Sequence, residues 1–266
     1  MEDKQCTNSK YTSTVQLMNL NKYFGHICAL KDINFAIGSN EVVGLIGDNG
    51  AGKSTLIKII TGVFPPTNGE IYIKETRINP GVYGVKQAQQ LGIATVYQDK
   101  SLAEKQALWR NFFIGRQLTN ALGFIRVKEE KAIAADILLN MIGFRGAGIT
   151  VNSKVSTLSG GERQGIAIGR AMYFSADLII LDEPTVALSL KEVRKVINFV
   201  NLIKEKGKAS IFISHNIGDL YEVADRFVVL DRGRIVGNIL KKEIALKDLN
   251  TFLLDYAHRL KEEDEE

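Results

Sequence analysis

Apolar and polar residues alternate from Val15 to Leu20 and again from Ile33 to Ile37, the period of two that half-buried strands require. At Val42 the alternation gives way to a continuous apolar run, VVGLIG, which predicts a strand covered on both faces and ending in a glycine-rich turn. From Ser54 to Thr61 the apolar residues recur at helical spacing. Gly62 and the pair Pro65-Pro66 then stop the helix, and Gly69 to Ile73 resumes as a short strand. Two further apolar runs, DLIILDEP from Asp177 and ASIFISHN from Ala209, flank a helical stretch from Leu190 to Lys206. Strands alternating with helices in this way predict a parallel α/β sheet. Between Lys100 and Ser156 the strand pattern fades and Lys128 to Ile142 carries apolar residues at helical spacing, so an inserted helical subdomain is expected there. The end, KEEDEE, reads as a frayed, solvated tail.

Composition narrows the functional classes. The 266 residues are 45% hydrophobic and 24% charged, enough apolar material for a core in one domain or one domain with a subdomain. Lys and Arg total 34 against 30 for Asp and Glu, and the net charge of +4 is spread without a basic run, which argues against a nucleic-acid partner. Cys6 and Cys28 have no metal-ligand partners at the usual spacings and suit a reducing compartment. The opening MEDKQCTNSKYTST is polar and mixed in charge, without the pattern of a signal peptide. The apolar stretches from Val42 to Gly47 and Leu178 to Leu181 are too short for the roughly 30 Å of bilayer hydrocarbon, so a membrane role requires a separate partner.

Chemistry enters at Gly47-Asp48-Asn49-Gly50-Ala51-Gly52-Lys53-Ser54-Thr55, a G-x-x-x-x-G-K-S pattern between a predicted strand and a predicted helix. Glycines let the backbone curl so that successive N–H groups surround phosphate oxygens, and the following helix points its positive end at them. Lys53 is expected to reach the β and γ phosphates of ATP, and Ser54 to offer its hydroxyl to Mg²⁺. The run Leu178-Ile179-Ile180-Leu181-Asp182-Glu183 delivers two carboxylates at the C-terminal end of a strand, the edge where open α/β sheets bind ligands. Asp182 is placed to hold Mg²⁺, directly or through water, and Glu183 to act as general base toward the attacking water. A third stretch, Leu158-Ser159-Gly160-Gly161-Glu162-Arg163-Gln164, reads in two compatible ways. Ser159 and Glu162 form a capping box, and the two glycines leave the first N–H groups of a helix open to a phosphate.

That third stretch resembles the signature motif of ATP-binding-cassette proteins, and the resemblance extends from about Val15 to Gly237. It implies a P-loop NTPase α/β fold with a parallel-sheet core, an N-terminal antiparallel β subdomain and an inserted α-helical subdomain. One ATPase domain at 15–250 is expected, with the helical subdomain at about 99–164 and terminal extensions at 1–14 and 251–266. By the same resemblance Ser159, Gly160, Gly161 and Glu162 contact the γ-phosphate held by the opposite subunit, Gln98 touches Mg²⁺ and links the site to the membrane partner, and His215 orients the attacking water. Phe24 matches the aromatic that stacks on adenine, with Tyr23 beside it as a competitor. The catalytic set implied is therefore Glu183, His215 and Lys53.

One departure stands out. The family usually reads S-A-L-D after the two carboxylates, whereas this chain reads Val186-Ala187-Leu188-Ser189, leaving a hydroxyl but no charge at the position that helps join the two sites. The stretches GDNGAGKSTLIKIITGVFPPTNGEI, GIATVYQD, NFFIGR and TLSGGERQGIAIGRAM resemble ATPases of monosaccharide importers of the ribose, xylose or fructose type. With one phosphate loop and one signature in the chain, the resemblance implies a homodimer at the cytoplasmic face of the membrane, bound to permease subunits and through them to an extracytoplasmic solute-binding protein. The segment from Lys100 to Arg116, with Trp109, Phe112 and Phe113, is where such a permease would dock, unless those aromatics are core. The alternatives are a soluble non-transport ATPase of the same family and a regulatory nucleotide switch.

Overall fold

A computed structural model describes residues 13–96, 102–141 and 148–265. The chain opens with two long antiparallel strands, β1 (Ser13–Phe24) and β2 (Ile27–Gly38), joined at a tight turn. Val15, Leu17, Leu20, Ile33, Phe35 and Ile37 are buried while Met18, Asn34 and Ala36 are exposed, the one-sided burial that alternation predicts. β3 (Val42–Ile46) is buried at every position and leads into α1 (Lys53–Ile60), followed by β4 (Asn68–Ile73), β5 (Thr76–Arg77), α2 (Val85–Gln90) and β6 (Ile93–Val96).

The helical insertion contains α3 (Leu108–Phe113) and α4 (Val127–Asp136), the latter continuing into a π-helical turn at Ile137–Met141. Trp109, Phe112 and Phe113 are buried in it, so these aromatics are core and not an exposed docking face. Then come α5 (Gly160–Tyr173), β7 (Leu178–Asp182), α6 (Leu190–Glu205), β8 (Ala209–Ile213), α7 (Ile217–Val223), β9 (Arg226–Asp231), β10 (Arg234–Leu240) and α8 (Leu246–Glu265). The stretch expected to fray continues as α8 through Glu265, across the boundary placed at residue 250.

β2-β1-β4-β5 form an antiparallel sheet, and β10-β9-β3-β8-β7-β6 form a second sheet that is parallel except for β10. Each central strand feeds two cores. Ile179, Leu181, Phe212, Phe227 and Val229 face the helices α5, α6 and α7. Leu178, Ile180, Ile211, Val228 and Leu230 face α1 and the antiparallel sheet. This two-sided burial is why the central strands read as unbroken apolar runs. Gly44 on β3 admits α7 closely, since a Cβ there would sit 2.1 Å from Leu220 Cδ2.

Candidate functional site

The C-terminal ends of β3, β7 and β8 converge on one cleft of about 640 Å³. Asp48, Asn49, Gly50 and Gly52 line it from the loop between β3 and α1, Lys53, Ser54 and Thr55 from the first turn of α1, while Asp182 and Glu183 enter from the end of β7 and His215 from the end of β8. The loop needs glycine where it turns. Gly52 has φ 107, and a Cβ there would lie 2.9 Å from the carbonyl of Ala29. At Gly47 a Cβ would meet the Leu230 carbonyl at 2.3 Å. The Lys53 ammonium folds back over the loop, donating to the carbonyls of Gly47 at 2.5 Å and Asp48 at 3.0 Å.

Electrostatics make this cleft receptive to a charged ligand. Desolvation lowers the Lys53 ammonium from its ordinary range, against the opposing pull of Glu183, Asp48 and Asp182. Desolvation raises the Asp182 carboxyl, opposed by Lys53 and Lys58. Burial outweighs these attractions at both groups, a cost that a phosphate at Lys53 and a cation at Asp182 would offset. Glu183 is more exposed to this deficit: both carboxylate oxygens are buried without a hydrogen-bond partner, although His215 Nε2 stands 3.2 Å from Oε1. Its backbone has φ 51, an uncommon left-handed conformation for a side chain of this size, secured by its N–H donating to the Ile213 carbonyl at 3.0 Å.

His215 is exposed at the end of β8 on a loop fixed from both sides. Ser214 Oγ accepts from Asn216 N, and the Asn216 side chain accepts from Gly218 N and Asp219 N at the start of α7. Phe24 is brought to the rim but not among the residues lining the cleft. Its ring meets Phe64 edge-on at 5.3 Å with Lys22 Nζ 4.9 Å from its centre. Ile27, Cys28 and Ala29 of β2 line the cleft instead, residues that precede the alternating stretch beginning at Ile33 and carry no chemical motif. Gln98 lies outside the described residues.

Ser159, Gly160, Gly161 and Glu162 begin α5 and do not line this cleft. The capping box is present: Ser159 Oγ accepts from Glu162 N at 3.3 Å, and Glu162 Oε2 accepts from Ser159 N at 2.9 Å. The expectation that both glycine N–H groups stand open needs correction, because Gly161 N donates to Glu192 Oε1 at 3.2 Å. Ser189 carries the expected hydroxyl and no charge of its own, and its Oγ donates to the Glu192 carboxylate at 2.8 Å. The Ser189–Glu192 pair is a capping box legible as S-x-x-E, whereas the Gly161–Glu192 contact has no local sequence signal.

A family model described as ABC transporter matches residues 30–186. The chain belongs to the ABC transporter family. The xylose/arabinose import ATP-binding protein XylG of Sulfolobus acidocaldarius is 40% identical over 243 residues, spanning 91% of this chain and 94% of that protein. The ribose import ATP-binding protein RbsA of Caldanaerobacter subterraneus subsp. tengcongensis is 32% identical over 235 residues, spanning 88% of this chain and 46% of that protein, so this ABC chain covers about half of its length. Among solved structures, the ADP conformation of an ATP-binding cassette of an ABC transporter aligns with TM-score 0.74 at 25% identity, covering 88% of this chain and 93% of that one. A dimeric post-hydrolysis ATP-binding cassette bound to ADP and Pi aligns with TM-score 0.69 at 27% identity, covering 85% and 98%. These neighbours share the α/β cassette fold described above.

Proposed function

We propose that this ABC chain binds and hydrolyses ATP as a homodimeric motor subunit and drives import of a monosaccharide, of the xylose or arabinose class, through separate permease subunits. The observation that carries the reading is the buried, unpartnered carboxylate of Glu183 facing the same cleft as Lys53 and Asp182. A buried carboxylate without a donor is costly, and a water held for attack on a phosphate supplies the missing donor.

In this reading the loop from Gly47 to Thr55 surrounds the phosphates with backbone N–H groups, and Lys53 exchanges its loop carbonyls for phosphate oxygens. Ser54 and Asp182 are oxygen donors in one cleft, fit for a hard cation, and would hold Mg²⁺, which offsets phosphate charge when bound. Glu183 takes the proton of the attacking water and His215 orients that water. Ile27, Cys28 and Ala29 cover the nucleoside end, with Phe24 at the rim. Because Ser159, Gly160 and Gly161 lie away from the cleft of their own chain, they close the cleft of a second copy, as the dimeric relative supports.

The sugar class rests on the XylG relative, which matches almost end to end. Among the described residues no helix is long and apolar enough to cross a membrane. The permease partners and the peripheral position at the cytoplasmic face, where ATP is supplied, rest on the import relatives. A solute-binding protein would deliver sugar to the permease and not to this chain.

Purified chain tests the reading through phosphate release and nucleotide affinity. The parent should turn over ATP, and Lys53→Ala should lose charged contacts of about 1.5–3 kcal/mol, roughly ten- to a hundredfold in affinity. Unchanged ATP affinity in Lys53→Ala would remove the phosphate-loop assignment.

A further inference from the structure

Three donors from two segments converge on the side chain of Glu192 in the first turn of α6. Ser189 N and Ser189 Oγ donate to Oε2 at 3.0 and 2.8 Å, and Gly161 N donates to Oε1 at 3.2 Å. Together these donors hold the acid at about 2, far below the usual glutamate range. A helix cap alone would need only Ser189. The contact to Gly161 joins α6 to the start of α5, and the approach is close: a Cβ on Gly161 would sit 2.9 Å from Glu192 Cβ and 3.2 Å from its Cα.

Ser189 is also the end of the short loop that begins at Glu183. That loop is tight, with Val186 N donating to the Glu183 carbonyl and Leu188 N to the Thr185 carbonyl, both at 3.4 Å, and with Ala187 at φ 59. One end of it therefore carries the carboxylate of this chain's cleft, and the other is tied through Glu192 to the segment proposed to close the partner's cleft.

We infer that Glu192 is a positioning residue that couples the two composite sites, linking Ser159 and Gly161 to the loop bearing Glu183 and supplying beside Ser189 the carboxylate that position 189 lacks. A phosphate arriving at Ser159 competes with the Glu192 carboxylate for the Gly161 N–H, and the resulting shift of that carboxylate or of α5 is carried through Ser189 to Glu183. The inference rests on the shared-site reading above. Neighbouring charges do not substitute for Glu192, since Glu162 is engaged by Ser159 N and stands 3.8 Å from Lys195 Nζ.

The test compares parent, Glu192→Ala, Glu192→Gln and the double variant Ser189→Asp with Glu192→Ala, all as full chains. Equilibrium ATP binding below the dimerising concentration reports the chain's own cleft. Steady-state phosphate release against ATP concentration reports the coupled pair. Glu192→Ala is expected to bind ATP as the parent does, to lose about tenfold in kcat, and to lose cooperativity in ATP. Glu192→Gln keeps the volume and one acceptor and should fall between the two, which keeps the test valid if the alanine variant folds poorly. Ser189→Asp should restore part of kcat to the alanine variant by returning a carboxylate to the loop. If Glu192 is only a cap, Glu192→Ala lowers thermal stability while kcat and the shape of the ATP curve follow the parent, and that result overturns the inference. An unrescued double variant likewise removes the claim that the charge matters. A parent that neither binds ATP nor releases phosphate would instead overturn the proposed function and the coupling with it.

Discussion

His215 Nε2 lies 3.2 Å from Glu183 Oε1, yet neither Glu183 oxygen receives a hydrogen bond. The imidazole comes from the end of β8 and the carboxylate from the end of β7, adjacent parallel strands paired through Asp182 and Ile213. A buried carboxylate beside an exposed imidazole, with no bond between them, is arranged to share a third group, and a water between the two satisfies both.

This arrangement predicts that Glu183 and His215 act as one unit. Glu183→Gln should retain ATP binding and lose turnover by about 10² or more, because an amide preserves shape but takes no proton from water. His215→Ala should lose turnover as well, and the double variant should be little worse than Glu183→Gln alone, as residues serving one step are non-additive. Phosphate release from the three proteins checks this. Losses that multiply would mean that the histidine and the carboxylate serve separate steps.

Cys28 gives a chemical footprint of the cleft. Its thiol is exposed and lines the same space as Lys53 and Asp182, at the end where β2 enters. ATP at ten times its dissociation constant should slow alkylation of Cys28 on the order of tenfold, since about a tenth of the protein remains free. Peptide mapping by mass spectrometry separates Cys28 from Cys6. Equal rates with and without nucleotide would remove β2 from the nucleoside end and return the rim to Phe24 and Tyr23.

Much of this site was legible in the sequence because its parts are local. The stretch from Gly47 to Thr55 carries its turn, its cation and its helix start within one βα unit, and the apolar run ending in Asp182 and Glu183 announces both a buried strand and its active edge. Ser159 and Glu162 are likewise a three-residue relationship, and the capping box is present. What sequence could not show are pairings set by helix packing. Nothing within a few positions of Glu192 predicts that it reaches Gly161, because that bond depends on how closely α5 and α6 pack. The same applies to the cleft lining. Phe24 fits the aromatic position of the resembled pattern, but the twist of the hairpin turns its ring onto Phe64 and presents Ile27, Cys28 and Ala29 to the cleft. The helical character of α8 was hidden by its charged end, where composition suggested only solvation.

The lowered pKa of Glu192 sets a pH window. Its carboxyl is held at about 2 in the folded chain, chiefly by the Ser189 N–H, then by the Ser189 hydroxyl and the Gly161 N–H. An unfolded glutamate titrates near 4.3, about where the stabilisation begins to fade as pH falls. It is therefore complete above roughly pH 5 and lost as pH descends toward about 2, where the folded group also protonates. The stability gap between parent and Glu192→Gln should be nearly constant from neutral pH to about 5, narrow through about 3 and close as pH falls to about 2 and below. Denaturant unfolding at a series of pH values measures it. A gap that persists at the acid end would mean that shape, not charge, holds Ser189 and Gly161 to this side chain.

The final prediction concerns which chain completes which cleft. Lys53 lines its own cleft, whereas Ser159 lies away from it at the start of α5, so a shared site needs one from each copy. In a Glu183→Gln background, where bound ATP persists, adding Lys53→Ala should prevent ATP-driven association because neither cleft holds phosphate. Adding Ser159→Arg instead should also prevent it, because the long side chain stands where the partner's phosphate would approach. A mixture of the two proteins has a different composition of sites. One cleft of the mixed pair combines both defects, while the other joins an intact Lys53 loop to an intact Ser159 segment and can bridge the chains with one ATP. Sedimentation should therefore show no dimer for either protein alone and an ATP-dependent dimer for the mixture, weaker than that of the Glu183→Gln parent because one bridge replaces two. If each chain instead used its own Ser159, both defects would stay within their own chains, and mixing would restore nothing. Association of Ser159→Arg by itself would be equally decisive, since it would show that the start of α5 never meets the partner's nucleotide.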